Sequence, residues 1–229
     1  MAIRAWLAPV VVVLLAGALA ACSEDSPRLA EGQTSCGAVM HIGDSLTVGM
    51  MAEGQIADPA LRLDSQYRAV GVADVHGDGG VGRTIHEVSN EEQPGAEVAR
   101  QARADGYTGC WVVELGTNDV ALLAQNETTF GPRQRIDEVM AIIGDEPVMW
   151  LTTVTQVDDG DYDSANMEAW NAILRDARDS YPNMVIYDWA SVARPEWFHA
   201  DGVHSTPTGF TEMARLIPTE LAELLPATR

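Results

Sequence analysis

The sequence predicts an α/β fold with a parallel sheet covered by helices on both faces. Two observations carry that expectation. Short apolar runs that read as strands alternate along the chain with segments of helical periodicity. The first and third of these runs also stop at a glycine followed by a polar cluster, at Gly43 and Gly116. Parallel neighbours need a crossover of a dozen residues or more, and the intervening helices supply it.

Taken in order, Ala38-Val39-Met40-His41-Ile42 is the first strand and residues 46–56 read as a helix. Residues 67–75 are expected to form the second strand. Residues 94–104 are helical, with Pro94 suited to the first turn. Trp111-Val112-Val113-Glu114-Leu115 is the third strand. In 132–143, Ile136, Val139, Met140 and Ile143 repeat at i, i+3, i+4, i+7, one apolar helix face. Residues 147–154 are the fourth strand, and Met167, Trp170, Leu174, Ala177 and Tyr181 mark another helix. Residues 184–187 are the fifth strand. The last helix starts at Thr206-Pro207, a cap followed by proline, and Pro218 is expected to kink it. These stripes read as core faces.

The chain has 229 residues, which suits one α/β domain or two small ones, and a formal charge of −20. All its basic residues are arginine and none cluster, which argues against a nucleic-acid partner. A hydrophobic content of 46% excludes an acidic disordered tail. Three cysteines are too few for a disulfide scaffold, and their odd number calls for a reason.

The N-terminus supplies part of that reason. Arg4 and the amino terminus precede an apolar run from Trp6 to Leu19, broken only by Pro9 and Gly17. That run is short for a membrane span and fits the hydrophobic region of a signal peptide. The following Leu19-Ala20-Ala21-Cys22 resembles the lipobox of bacterial lipoproteins. The resemblance implies that residues 1–21 are cleaved and that Cys22 is lipidated, which would anchor the protein to the cell membrane through its acyl chains alone. The alternative is an ordinary secretory signal with a chance cysteine. Residues 23–35 are polar and read as a flexible tether, with the folded body starting at Cys36.

In open α/β sheets, ligands bind beyond the carboxyl ends of the strands. Three segments there carry chemistry: Gly43-Asp44-Ser45-Leu46, Gly116-Thr117-Asn118-Asp119 and, before the last helix, Asp201-Gly202-Val203-His204. They supply a serine at a helix N-terminus, an amide donor, and a carboxylate close enough in sequence to fix an imidazole tautomer. Acyl transfer also needs donors aimed at its oxyanion. The candidates are the Ser45 N–H, the Asn118 side chain and a glycine N–H after the second strand.

On these residues the chain resembles the SGNH (GDSL) hydrolase family, from about residue 38 to 216. The resemblance implies a three-layer α/β/α sandwich of flavodoxin-like type, with a central sheet of about five parallel strands over residues 36–229. It implies Ser45 as nucleophile, Asp201 and His204 as its partners, and an oxyanion hole made by Ser45, a glycine and Asn118. Among the glycines of His76-Gly77-Asp78-Gly79-Gly80-Val81-Gly82-Arg83, Gly82 is favoured and Gly80 is the alternative. Asp44 is expected to brace the nucleophile loop, and Asp119 the loop after Asn118. Position 47 is threonine, so the Gly-x-Ser-x-Gly elbow of α/β-hydrolases is lacking. In the family's topology the first and third strands are neighbours. Cys36 and Cys110 would then lie at adjacent strand starts, and a disulfide is expected between them in an exported protein.

Several features are set aside. His41 reads as a packed histidine. His199-x-Asp201-x-x-His204 suggests a metal, but a triad accounts for two of the three residues, and no metal or cofactor is called for. The acidic run at 158–163 lacks the glycine and glutamate of a calcium loop, although it follows the fourth strand and would overhang the cleft. Trp189, Trp197 and Phe198 either line a pocket or pack.

The expected function is a lipid-anchored extracytoplasmic serine esterase. Its acidity favours a neutral small acyl ester, or an ester on an envelope glycan or glycolipid, over a polyanion. The alternatives are an O-acyltransferase using the same triad, and a catalytically dead carbohydrate-binding lipoprotein.

Overall fold

The computed structural model describes residues 32–227. The expected leader, Cys22 and the tether up to residue 31 lie outside the described residues. Five parallel strands form one sheet in the order β2-β1-β3-β4-β5, the flavodoxin-like arrangement. They are β1 (Ala38–Gly43), β2 (Asp74–Gly79), β3 (Cys110–Glu114), β4 (Val148–Leu151) and β5 (Met184–Tyr187).

Strand alternation feeds two cores, because successive side chains point to opposite faces. On one face, Trp111 and Val113 of β3 and Val148 and Trp150 of β4 meet α3 (Gly95–Ala104), α5 (Pro132–Ile143) and α6 (Ser164–Arg178). On the other, Val112 of β3 and Met149 and Leu151 of β4 meet α1 (Ser45–Met51), α2 (Leu63–Ala69) and α8 (Pro207–Leu224). Each such aliphatic side chain, fully buried, contributes about 1.5–3 kcal/mol. The expected stripe Ile136, Val139, Met140, Ile143 is the buried face of α5. Trp189 and Trp197 are also buried, with stacked rings 5.9 Å apart, and Trp189 lines a small cavity with Leu46 and Leu151.

The second strand differs from expectation. Residues 63–69 form α2, whose inner face buries Leu63 and Tyr67 one turn apart. Gly71, at φ +96°, breaks the helix, and β2 begins only at Asp74. β2 is an edge strand hydrogen-bonded only to β1, so it has little apolar surface to bury and its sequence, Asp-Val-His-Gly-Asp-Gly, lacks a strand signature. Of the apolar residues that suggested a strand, Tyr67 belongs to α2 and Val70 and Val72 to the turn after it, and only Val75 lies in β2. Two further helices, α4 (Thr117–Ala124) and α7 (Trp189–Val192), lie directly behind strand-end loops.

Cys36 and Cys110 are joined by a disulfide with a Cα–Cα distance of 5.6 Å. The register explains it: Val39 of β1 is opposite Cys110 at the start of β3. Hydrogen bonding begins slightly before Cys36. The Thr34 N–H donates to the Val70 carbonyl and the Ser35 N–H to that of Leu225, so the end of the expected tether is tied to the body.

Candidate active site

Four strand-end loops and the loop before α8 converge at the carboxyl edge of the sheet. The first is the turn from β1 into α1. Asp44 caps the helix: its Oδ1 accepts from the Leu46 N–H at 2.9 Å, and its Oδ2 from Asn118 Nδ2 at 3.1 Å. Ser45 is the first residue of α1 and is partly exposed. Asp44 is buried, and loss of water raises its carboxyl to about 7, against the lowering effects of the Leu46 N–H, His204 and Arg83.

The loop after β2 is organised by Arg83, a residue not singled out from sequence. Its guanidinium is buried and donates to the carbonyls of Gly43 (3.1 Å), Asp78 (2.9 Å) and Gln93 (3.0 Å) while pairing with the Asp78 carboxylate at 2.8 Å. This ties the loop to the nucleophile turn. The only sequence signal was a lone arginine in a glycine-rich stretch. Of the two candidate glycines, Gly80 spends its N–H on the Gly43 carbonyl at 3.2 Å. Gly82 has no such partner among the described residues. It sits at φ +74°, and a Cβ there would run into the Asn90 side-chain amide.

Asn118, in the first turn of α4, spans the first two loops. Its Nδ2 donates to Asp44 and, at 3.2 Å, to the Arg83 carbonyl. Asp119 does something other than expected. Its Oδ1 accepts from the Ile85 N–H (2.9 Å) and from the fully buried Arg135 (2.8 Å), so it holds the loop after β2 rather than the one after Asn118. Burial lifts this carboxyl to about 6, against the pull of Arg135 and the Ile85 N–H.

Asp201 and His204 form a dyad before α8. Asp201 Oδ1 accepts from the Val203 and His204 N–H groups at 2.9 and 3.0 Å, and Oδ2 meets His204 Nδ1 at 2.9 Å. Slight burial pushes the Asp201 carboxyl up, but the bonds from the imidazole and the two amides outweigh it and leave it at about 2. A carboxylate facing Nδ1 fixes the proton there and leaves Nε2 as the free base. His204 is near enough for its charge to be felt at Asp44. No hydrogen bond joins its ring to Ser45 among the described residues; catalytic contacts of this kind commonly tighten only when substrate is bound.

The acidic loop after β4 contributes a group that the sequence did not flag. The Tyr162 hydroxyl donates to Asn118 Oδ1 at 3.0 Å, while Thr155 Oγ1 donates to the Tyr162 carbonyl at 2.6 Å and holds the loop. Oriented this way, the Asn118 amide keeps its nitrogen toward Asp44 and the β2 loop. Tyr162→Phe is therefore expected to free the Asn118 amide and move its side-chain ¹H–¹⁵N resonances, the loss of one hydrogen bond. An unchanged spectrum would contradict this.

By sequence, no family model matches this chain and no curated protein does. Solved structures do match. A lipase/acylhydrolase from Enterococcus faecalis superposes with a TM-score of 0.62 at 19% identity, over 84% of this chain and 99% of its own. The carbohydrate acetylesterase Est24 from Sinorhizobium meliloti gives 0.59 at 15%, over 82% and 99%. An acetyl xylan esterase from Geobacillus stearothermophilus gives 0.59 at 15%, over 86% and 99%. The chain has the fold of these acylhydrolases. The likeness spans nearly the whole of each of those chains.

Proposed function

We propose that this protein is a serine esterase of the SGNH type that removes short acyl groups, acetyl foremost, from hydroxyls of neutral glycans or glycolipids. What supports the reading is the Asp201–His204 dyad, whose loop is tied to the loop after β4 by the Gln156 N–H to Gly202 carbonyl bond at 2.7 Å, together with Asn118 hydrogen-bonded to Asp44 next to Ser45. The acetylesterase neighbours and the net negative charge support the substrate class.

In this reading Ser45 Oγ attacks the ester carbonyl carbon while His204 Nε2 takes its proton. The carbonyl oxygen becomes an oxyanion facing the N–H groups of Ser45 and Gly82 and Asn118 Nδ2. Asn118 Nδ2 keeps one hydrogen on Asp44, and its second, which faces the Arg83 carbonyl, is shared with the oxyanion. The intermediate collapses, the C–O bond to the alcohol breaks, and His204 delivers the proton to the departing oxygen. Water then repeats the sequence on the acyl-enzyme and releases the acid. Replacing Asn118 with Ala is expected to cost about 10²–10³-fold in kcat.

The pH dependence carries a signature of Asp44. Its carboxylate must accept from Leu46 and Asn118, and it takes up a proton as pH falls through about 7. As pH falls through about 7, log kcat/KM is thus expected to fall with one unit more slope in the wild type than in Asp44→Asn; equal slopes would contradict this role. The effect on stability has the opposite sense. A buried carboxyl with a raised pKa binds more protons folded than unfolded, so its contribution to stability falls as pH rises from about 4 to 7.

The proposal includes export and anchoring at Cys22, supported by the leader pattern and by the Cys36–Cys110 disulfide, which suits an oxidising compartment. The functional test is a screen of p-nitrophenyl esters of increasing chain length and of O-acetylated glycans. Acetate release exceeding that of a Ser45→Ala control is the expected result, and no release from any ester would overturn the reading.

A further inference from the structure

A buried carboxyl that the mechanism does not use lies directly behind the nucleophile turn. Glu114 is the last residue of β3 and only 5% exposed. Its Oε2 accepts from the Asp44 backbone N–H at 3.2 Å and from Thr47 Oγ1 at 2.9 Å. Thr47 Oγ1 in turn meets His41 Nε2 at 2.9 Å, and His41 Nδ1 meets the Tyr67 hydroxyl at 2.8 Å. All four side chains are buried. Burial holds His41 neutral, with its pKa lowered to about 3, so the ring carries one proton. Thr47 has one hydroxyl hydrogen and spends it on Glu114. The chain therefore runs in one direction: Tyr67 O–H to His41 Nδ1, His41 Nε2–H to Thr47, Thr47 O–H to Glu114.

This chain also explains why position 43 is glycine. A Cβ on Gly43 would collide with the Thr47 hydroxyl and the Glu114 carboxyl oxygen. Asp44 is then held at three points: its N–H by Glu114, Oδ1 by Leu46 and Oδ2 by Asn118. Its backbone, at φ −103° and ψ −146°, belongs to no regular element and depends on those ties. The peptide unit that follows carries the Ser45 N–H.

We propose that Glu114 is a positioning residue for the reaction, fixing the Asp44–Ser45 peptide through the Asp44 N–H so that the Ser45 N–H and Oγ face the ester carbonyl. The inference rests on the esterase reading. Burial, followed by the nearby Asp44 charge, raises the Glu114 carboxyl well above its usual range, against the Thr47 and Asp44 hydrogen bonds. Glu114 therefore acts as an uncharged acceptor, and glutamine should replace it while methionine should not.

The test compares Glu114→Gln, Glu114→Met and Thr47→Val in the full folded domain. Three quantities are read: kcat and KM on p-nitrophenyl acetate, the fluorophosphonate labelling rate, and the ¹H–¹⁵N amide shifts of Ser45 and Leu46. Glu114→Met is expected to lose about 10²-fold in kcat, the usual cost of a misplaced reacting group, with KM within about 3-fold and both amide shifts moved. Glu114→Gln should retain most of kcat and near-native shifts. Should the methionine variant fail to fold, Thr47→Val, which cuts the chain one link away, is expected to lower kcat about 10-fold at constant KM. Wild-type kcat and shifts in the methionine variant, or in Thr47→Val where that variant stands in, would overturn the proposal. So would equal losses in the glutamine and methionine variants. A wild-type protein that neither turns over esters nor labels would refute the esterase reading instead, and the amide shifts would still decide whether Glu114 sets the turn.

Discussion

Ser45→Ala is expected to lower kcat on p-nitrophenyl acetate by at least about 10⁴-fold while leaving the fold and melting temperature essentially unchanged. The size follows from the role. Removing the nucleophile of a serine triad costs up to about 10⁶, and only transition-state binding by the remaining donors survives. The neutral effect on stability follows from the environment: Ser45 is partly exposed, its hydroxyl makes no hydrogen bond among the described residues, and the helix cap is Asp44. His204→Ala should fall in the same range, and the double variant should cost little more than either alone, because the two act as one unit. A Ser45→Ala protein retaining even a tenth of wild-type kcat would remove Ser45 from the chemistry.

The second large effect is on stability. The Cys36–Cys110 bond closes a sequence separation of 74 residues that contains β1, the nucleophile turn, α1, α2, β2 and α3. In the chain-entropy model, opening such a loop costs ~4 kcal/mol. For a domain of this size that corresponds to a fall in Tm of about 8–16 °C. Replacing both cysteines with alanine, compared with the oxidised wild type by urea titration and thermal melting, checks this. The midpoint should fall with little change in slope. Equal midpoints would mean that the bond adds nothing to the strand pairing between β1 and β3.

Most of the fold was legible because the central strands are buried on both faces and must be apolar throughout. β1, β3 and β4 stand out in sequence for that reason, and α5 shows its stripe because only one face is buried. β2 was misplaced because an edge strand carries no such requirement. Its polar sequence looks like a loop, while Tyr67 and Val72 beside it look like a strand but belong to α2 and the turn after it. At the candidate site, Ser45, Asn118, Asp201 and His204 could be nominated from sequence because the proposed chemistry demands particular residue types at strand ends. Arg83, Tyr162 and Glu114 were not. Each acts through a partner distant in sequence, Gly43 for Arg83, Asn118 for Tyr162 and Thr47 for Glu114, and no local spacing announces such contacts. Asp119 was found but given the wrong loop, since its partners Ile85 and Arg135 are set by packing between α5 and the β2 loop.

The most direct test of the central claim is covalent labelling with a fluorophosphonate, followed by intact-mass measurement and peptide mapping. The account requires one adduct per chain on the wild type, carried by Ser45, with none on Ser45→Ala and greatly slowed labelling of His204→Ala. A folded wild-type protein that takes up no label, or carries it on another residue, would contradict the assignment of Ser45 as an activated nucleophile.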